Sequence, residues 1–389
     1  MKGLRREIRR IAAVAMAVLV AGTTIPVHAV SMTGEADTAL SGGENTVSSG
    51  DAEEIISSVS ENGVALFAVN GNGGCIDIAD VDAGDAYGQI EINAGNVSDW
   101  DGRTLTGNTT DKSLIIKGVS VHLVIKDLSI DRSSTSSTWL PAIGITGGGS
   151  LYLTLEGTNY LHGATGGAGI WVNSGATLEI TAECTGAVTA IGGSGYGGAA
   201  GIGAGGSMED AGGSRTAQYV GVIRIAGGNV TAQGGSYTQF GSTSAYSGGA
   251  GIGGSYGASG AVIEITGGVV NAQGGCLAAG IGGGFAGSAS EITISGGTVT
   301  ATIYETNGAM GAAIGNGIHS VAGTADPFGK ITISGGDVTA KGNVGFGSGK
   351  AEAYPEEGGT VTIAEGVYPK ITGVINYGKN TAEGIVKYN

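Results

Sequence analysis

The sequence predicts an all-β chain folded as a right-handed, three-sided parallel β-helix, a β-solenoid of about nine coils with loop insertions at fixed corners. Three observations predict it. From Ala168 onward the chain repeats the phrase Ile-x-Ile-x-Gly-Gly-x-Val-x-Ala-x-Gly-Gly, closed after a gap by Ala-Gly-Ile-Gly-Gly. Within each copy apolar and polar residues alternate at a period of two between glycine pairs, which marks short strands that bury a face only when copies stack. Glycine makes up 80 of 389 residues, roughly three times the usual share of about 7 %. With no Gly-X-Y period and 5 prolines the composition excludes collagen, and 41 % hydrophobic residues argue against disorder.

Taken in order, residues 1–29 read as a secretory signal peptide. Lys2, Arg5, Arg6, Arg9 and Arg10 precede the apolar run Ile11 to Ala21, and Val27-His28-Ala29 fits small-residue cleavage. The run is short for a membrane span, which needs about 20 residues. An uncleaved N-terminal anchor is the alternative. Residues 30–70 form a Ser/Gly/acidic leader, with a short capping helix expected over 51–60 behind Asp51. The β-helix domain is expected over 71–389.

Its first part, 75–172, holds less regular strands, among them Ile76-Asp77-Ile78, Gln89 to Ile92, Ser113 to Ile116, Val121 to Ile125 and Leu151 to Leu155. A separate N-terminal sandwich is the competing parse of this stretch. Regular coils follow over 173–365, and a cap closes 366–389. The Ile-x-Ile strand begins at Leu178, Ile223, Ile263, Ile292, Ile331 and Val361, with spacings of 45, 40, 29, 39 and 30 residues. The shortest spacing is the minimal coil, and the excess is inserted sequence. Insertions recur at two corners: after Ala-Gly-Ile-Gly (205–220 and 255–261), and after Val-x-Ala-x-Gly-Gly (236–249 and 303–311). Edges decorated in this way are common binding surfaces.

The net charge is −15, and cleavage of the signal leaves 13 basic and 32 acidic residues, a net of −19. Such a surface repels nucleic acid and anionic membranes, so neither is expected as a partner. The three cysteines, Cys75, Cys184 and Cys276, are an odd and widely spaced set that reads as buried free thiols.

Little of the chain carries specific chemistry. Gly201-Ile202-Gly203-Ala204-Gly205-Gly206 matches a dinucleotide fingerprint by letter, but no helical pattern follows to hold a phosphate, so it reads as a turn. Asp77, Asp80, Asp82 and Asp85 are the best candidates for a hard cation such as calcium, although Gly84 and Asp85 depart from a calcium-hand loop. A solvated acidic turn is the alternative. His122, His162 and His319 belong to no nucleophile motif, and no catalytic residues are expected. The tyrosines are more informative. Tyr196, Tyr219, Tyr237, Tyr246 and Tyr256 all lie in Gly/Ser-rich insertions, where flat rings with polar tips suit sugar faces and edges. Folding back as lids over the coil corners is their alternative role. Trp100, Trp139 and Trp171 read as core or cap. Outward threonines (Thr231, Thr300, Thr339; Thr293, Thr332, Thr362) form short ladders broken by Arg224, Glu264 and Asn271, in keeping with ordinary β-preference.

The phrases Ala250-Gly251-Ile252-Gly253-Gly254, Glu291 through Ala301 and Leu153 through Asn159 resemble repeat-rich secreted proteins of Gram-positive gut and soil bacteria. Those are grouped with carbohydrate-binding, pectate-lyase-like parallel β-helix proteins. The resemblance covers roughly residues 75 to 365. It implies right-handed coils, extracellular or cell-surface placement, and binding of acidic or cellulosic polysaccharide, sometimes with calcium. It carries no catalytic residue over to a position of this chain. The expectation is therefore a non-catalytic carbohydrate-binding β-helix acting through its Tyr-bearing loop edge. The alternatives are a structural adhesin or spacer that binds host or neighbouring cell-surface protein, and a polysaccharide lyase or glycoside hydrolase.

Overall fold

The computed structural model describes residues 74–135, 139–195, 197–206, 219–238, 246–258, 261–289, 291–304, 311–318, 329–342, 344–347, 359–371, 374–376 and 387–388. They belong to the second of two compact units, Ser57–Asn389; the first, Met1–Ile56, lies outside the described residues. The expected signal peptide (1–29), the leader (30–70) and its helix (51–60) also lie outside them.

The described chain is an all-β, solenoid-like fold of parallel strands, and every repeat contributes to three ladders. The Ile-x-Ile strands form the first: Ser150–Glu156, Thr177–Ile180, Val222–Ile225, Val262–Ile265, Glu291–Ile294, Lys330–Ile333 and Thr360–Ile363 pair in succession. The Val-x-Ala strands form the second, from Thr158–His162 through Ala187–Ile191, Asn229–Gln233, Val269–Cys276 and Thr298–Tyr304 to Asp337–Lys341. The third is a ten-stranded sheet that includes the short Ile-Gly strands, and in it Ile143, Ile170, Ile202, Ile252, Ile281 and Ile314 stand one above another.

The register matches the phase read from the sequence. Leu178, Ile223, Ile263, Ile292, Ile331 and Val361 are successive partners in the first ladder. Alternation then sends the same letters inward in each coil: Ile223, Ile225, Val230 and Ala232, and likewise Ile263, Ile265, Val270 and Ala272, are buried in one continuous core. Truncating one such isoleucine to alanine costs about 2–5 kcal/mol, because a stacked ladder cannot collapse around the void. Strands of the irregular 75–172 stretch join the same ladders in parallel; Ser120–Asp131 pairs with Ser150–Glu156, and Arg103–Thr109 with Ser120–Asp131.

Two details depart from the sequence reading. The first irregular strand ends at Asp77, and Ile78–Asp80 forms a 3-10 turn capped by the Asp77 carboxylate, which accepts from the Ala79 amide at 2.9 Å. The expected strand Val121 to Ile125 is part of one 12-residue strand, Ser120–Asp131, which feeds both the first and the second ladder. It turns at Asp127, whose φ of 50° is left-handed, and the Asp127 carboxylate accepts from the Thr158 amide one coil on.

Corners are held by polar groups with nowhere else to bond. Asn159 is fully buried: its carbonyl oxygen accepts from the Leu128 amide, and its amide donates to the carbonyls of Glu156 and Ala187, at 2.9–3.0 Å. One side chain thus satisfies three backbone groups in consecutive coils. The glycines of the third ladder have a steric cause. Gly203, Gly253, Gly282 and Gly315 have φ between 129° and 141°, and a Cβ on each would lie 1.9–2.0 Å from the carbonyl oxygen of the next glycine. The Ala-Gly-Ile-Gly phrase recurs because only hydrogen fits there. No helix of the described residues is long and apolar enough to cross a membrane.

Candidate functional site

A groove of ≈ 400 Å³ opens at the corner that follows the second ladder. Five successive rungs contribute to it: His162; Ile191, Gly192 and Ser194; Gln233 to Ser236; Gly274 to Cys276; and Tyr304. In the register His162 neighbours Ile191, Ile191 neighbours Gln233, and Cys276 neighbours Tyr304, so the groove runs along the stack and crosses the strands. At roughly 4.8 Å per rung it extends for about 20 Å.

Its floor is backbone. Gly193, Gly235 and Gly275, each from the Gly-Gly pair after a strand of the second ladder, pack one on the next, and a Cβ on Gly235 or Gly275 would come within 2.2 Å of the carbonyl beneath it. Ser236 ties three rungs together: its amide donates to Ser194 Oγ at 3.4 Å, and its own Oγ accepts from the Cys276 amide at 3.0 Å. Gln233 is exposed, and Tyr304, 50 % exposed, offers an open ring at one end.

The other end is closed by His162. Its Nδ1 lies 3.2 Å from the Tyr160 hydroxyl and 3.6 Å from Asp131 Oδ1. Burial pushes the imidazole below its ordinary pKa and outweighs the opposing pull of Asp131, which favours the uncharged ring. Burial likewise raises the Cys276 thiol, with the hydrogen bond from Ser236 acting the other way. Lined by amide, hydroxyl, imidazole, thiol and phenol, the groove can donate and accept hydrogen bonds and stack a flat face. Among its lining residues there is no carboxylate, ammonium or guanidinium.

The sequence-selected tyrosines fall on two different corners. Tyr196 lies outside the described residues. Tyr237 and Tyr246 belong to an antiparallel hairpin, Ser236–Thr238 with Tyr246–Gly248, in which Tyr237 faces Ser247 and Tyr246 faces Thr238; their side chains lie outside the description. The foot of this hairpin, Ser236, lines the groove. Tyr219 and Tyr256 sit on the other corner, near the start of the first ladder. Tyr219 is 59 % exposed, whereas Tyr256 is half-buried with its ring centroid 5.2 Å from that of Phe285, as a lid over its turn.

Asp77, Asp80, Asp82 and Asp85 are dispersed in use. Asp77 caps the 3-10 turn, and Asp85 accepts from the amides of Tyr87 and Gln89 and from the Gln89 side chain. Asp80 and Asp82 are exposed. The carbonyls of this turn instead receive a cation from the protein: Lys112 Nζ donates to Ile78, Ala79 and Val81, at 3.3, 2.5 and 2.7 Å. Among the described residues no three His, Cys, Asp or Glu side chains gather in a set able to hold a metal ion. The cysteines are free thiols, Cys276 buried and Cys75 and Cys184 half-buried. Trp100 is core although its sequence neighbours Asp99 and Asp101 are acidic, while Trp139 and Trp171 are half-buried.

Sequence reasoning did not select His162, Gln233, Ser194 or Tyr304. Tyr304 stands in the 303–311 insertion and carries the same signal as the other tyrosines. His162 and Gln233 share a rung position, which becomes visible only once the register is known. Comparison of the chain with models of protein families, with curated proteins and with solved structures finds no match in any of the three.

Proposed function

We propose that the protein is a secreted or cell-surface polysaccharide-binding β-helix without catalytic activity. In this reading its three parallel ladders are the faces of a right-handed, three-sided coil of about nine turns. One observation carries the functional part: the groove at the insertion corner presents hydrogen-bonding side chains on successive rungs over a glycine floor, with an open tyrosine ring at one end. A rung spacing of roughly 4.8 Å is close to the advance of one pyranose along an extended glycan, so a periodic ligand would meet a periodic platform. Tyrosine faces and amide or hydroxyl groups are suited to the two kinds of sugar surface. The resemblance of the repeat phrases to carbohydrate-binding β-helix proteins supports the same reading.

The test is affinity electrophoresis of the purified protein through gels that each contain one polysaccharide. Retardation by a polymer that is not degraded, reduced in Tyr304→Ala and Gln233→Ala, is expected. Free migration in every gel, together with capture of a cell-surface protein, would favour the adhesin or spacer alternative; shortened polymer would favour the lyase or hydrolase.

A further inference from the structure

Resting on that reading, we propose that the polymer taken by the groove is an uncharged polysaccharide, and that polyuronates are excluded from it. Charge is the argument. The whole chain has 33 acidic and 18 basic residues, yet between Ile225 and Ser290 the sequence carries one charged side chain, Glu264. That carboxylate is paired with Arg224 at 2.7 Å on the outward face of the first ladder. The insertion 236–249, whose first residue Ser236 lines the groove, contains no charged residue, and neither does the 187–206 stretch that supplies the rung of Ile191 and Ser194.

The titratable groups that line the groove keep it neutral. Burial favours the uncharged form of His162 and the thiol form of Cys276. A polyuronate lying here would lose part of the hydration of its carboxylates without meeting a cation, and unpaired charge is costly to desolvate. It would also approach a molecule of net charge −15. Hydroxyl groups of a neutral glycan carry neither penalty, and each can exchange a water for Gln233, Ser194, Ser236 or His162.

Binding of the full chain to insoluble neutral polymers (cellulose, mannan, xylan) and to cross-linked polygalacturonate, at low and high salt, separates the outcomes. Retention by a neutral polymer at least about tenfold tighter than by polygalacturonate, and insensitive to salt, is expected. Retention by polygalacturonate alone would overturn the inference while leaving the binding function intact. Retention by none would overturn the binding reading itself. Gln233→Lys, on an exposed position of the groove, should add salt-sensitive retention on polygalacturonate. If it adds none while neutral retention is unchanged, the neutral polymer lies elsewhere and the assignment to this groove fails.

Discussion

A Cβ atom on Gly253 would lie 2.0 Å from the carbonyl oxygen of Gly282, its direct partner in the third ladder. The contact cannot be relieved by a side-chain rotation, because the opposing atom is backbone, and φ at Gly253 is 129°. Gly253→Ala should therefore lower stability by about 3 kcal/mol or more, read as a fall in the denaturation midpoint. Gly175→Ala is the control. Its φ is 76° but a Cβ there meets nothing within 4 Å, so only the left-handed backbone cost of about 1–2 kcal/mol applies. Equal losses in the two variants would show that conformation, not close packing, selects the ladder glycines.

Asn159 should be as sensitive as a large core residue. Asn159→Ala strands the Leu128 amide and the Glu156 and Ala187 carbonyls in a buried corner. Each unsatisfied group costs about 1–3 kcal/mol, so a total loss of about 3 kcal/mol is expected in chemical denaturation. A loss under about 1 kcal/mol would mean that water reaches the corner.

Lys112 supplies the cation for the Asp77–Val81 turn. Lys112→Met should speed hydrogen exchange of amides 79–89 and lower stability by about 1.5–3 kcal/mol, the range for hydrogen bonds to a charged group. Adding a chelator to the wild type should leave its melting temperature unchanged. A chelator-dependent fall would assign a metal to this turn instead.

The His162 ring couples stability to pH. Its folded-state pKa is lowered, chiefly by burial, against an ordinary value of 6.5. The unfolded chain then takes up a proton that the folded chain refuses, so the contribution is fully present above pH 6.5 and is lost as pH falls through the folded-state value. His162→Gln should flatten this part of the stability–pH curve. An unchanged slope between pH 7 and pH 5 would remove His162 as its source.

All three thiols should be countable without reductant. Cys276 is buried with a raised pKa, so it should react with a thiol reagent only after unfolding, whereas half-buried Cys75 should react in the native state. Three equivalents titrated in denaturant, with none gained on reduction, is the expected result.

The ladders were legible in the sequence because their cause is local. Alternation at Ile263-x-Ile265 and Val270-x-Ala272 fixes which side chains turn inward, and identical phrases must stack in identical register. The glycines of Ala-Gly-Ile-Gly read as turns, but their steric reason depends on the carbonyl of the neighbouring coil. The groove was illegible for the same reason. His162, Gln233 and Tyr304 are far apart in sequence and meet at one edge only through coil lengths that the insertions make unequal. Tyrosine enrichment pointed to the insertion corners, yet Tyr256 folds onto Phe285, a partner supplied by the next coil. The acidic turn offered four carboxylates on paper, while the cation that its carbonyls receive comes from Lys112, more than thirty residues on.

Because each strand bonds only to the coil before and the coil after it, the array has the statistics of a one-dimensional chain of coupled units. Melting should start at either end and travel, and the middle should be the last part to fray. A defect such as Gly253→Ala then acts as a domain wall. It would divide one cooperative transition into two shorter ones, each reporting the length of the stack on its own side.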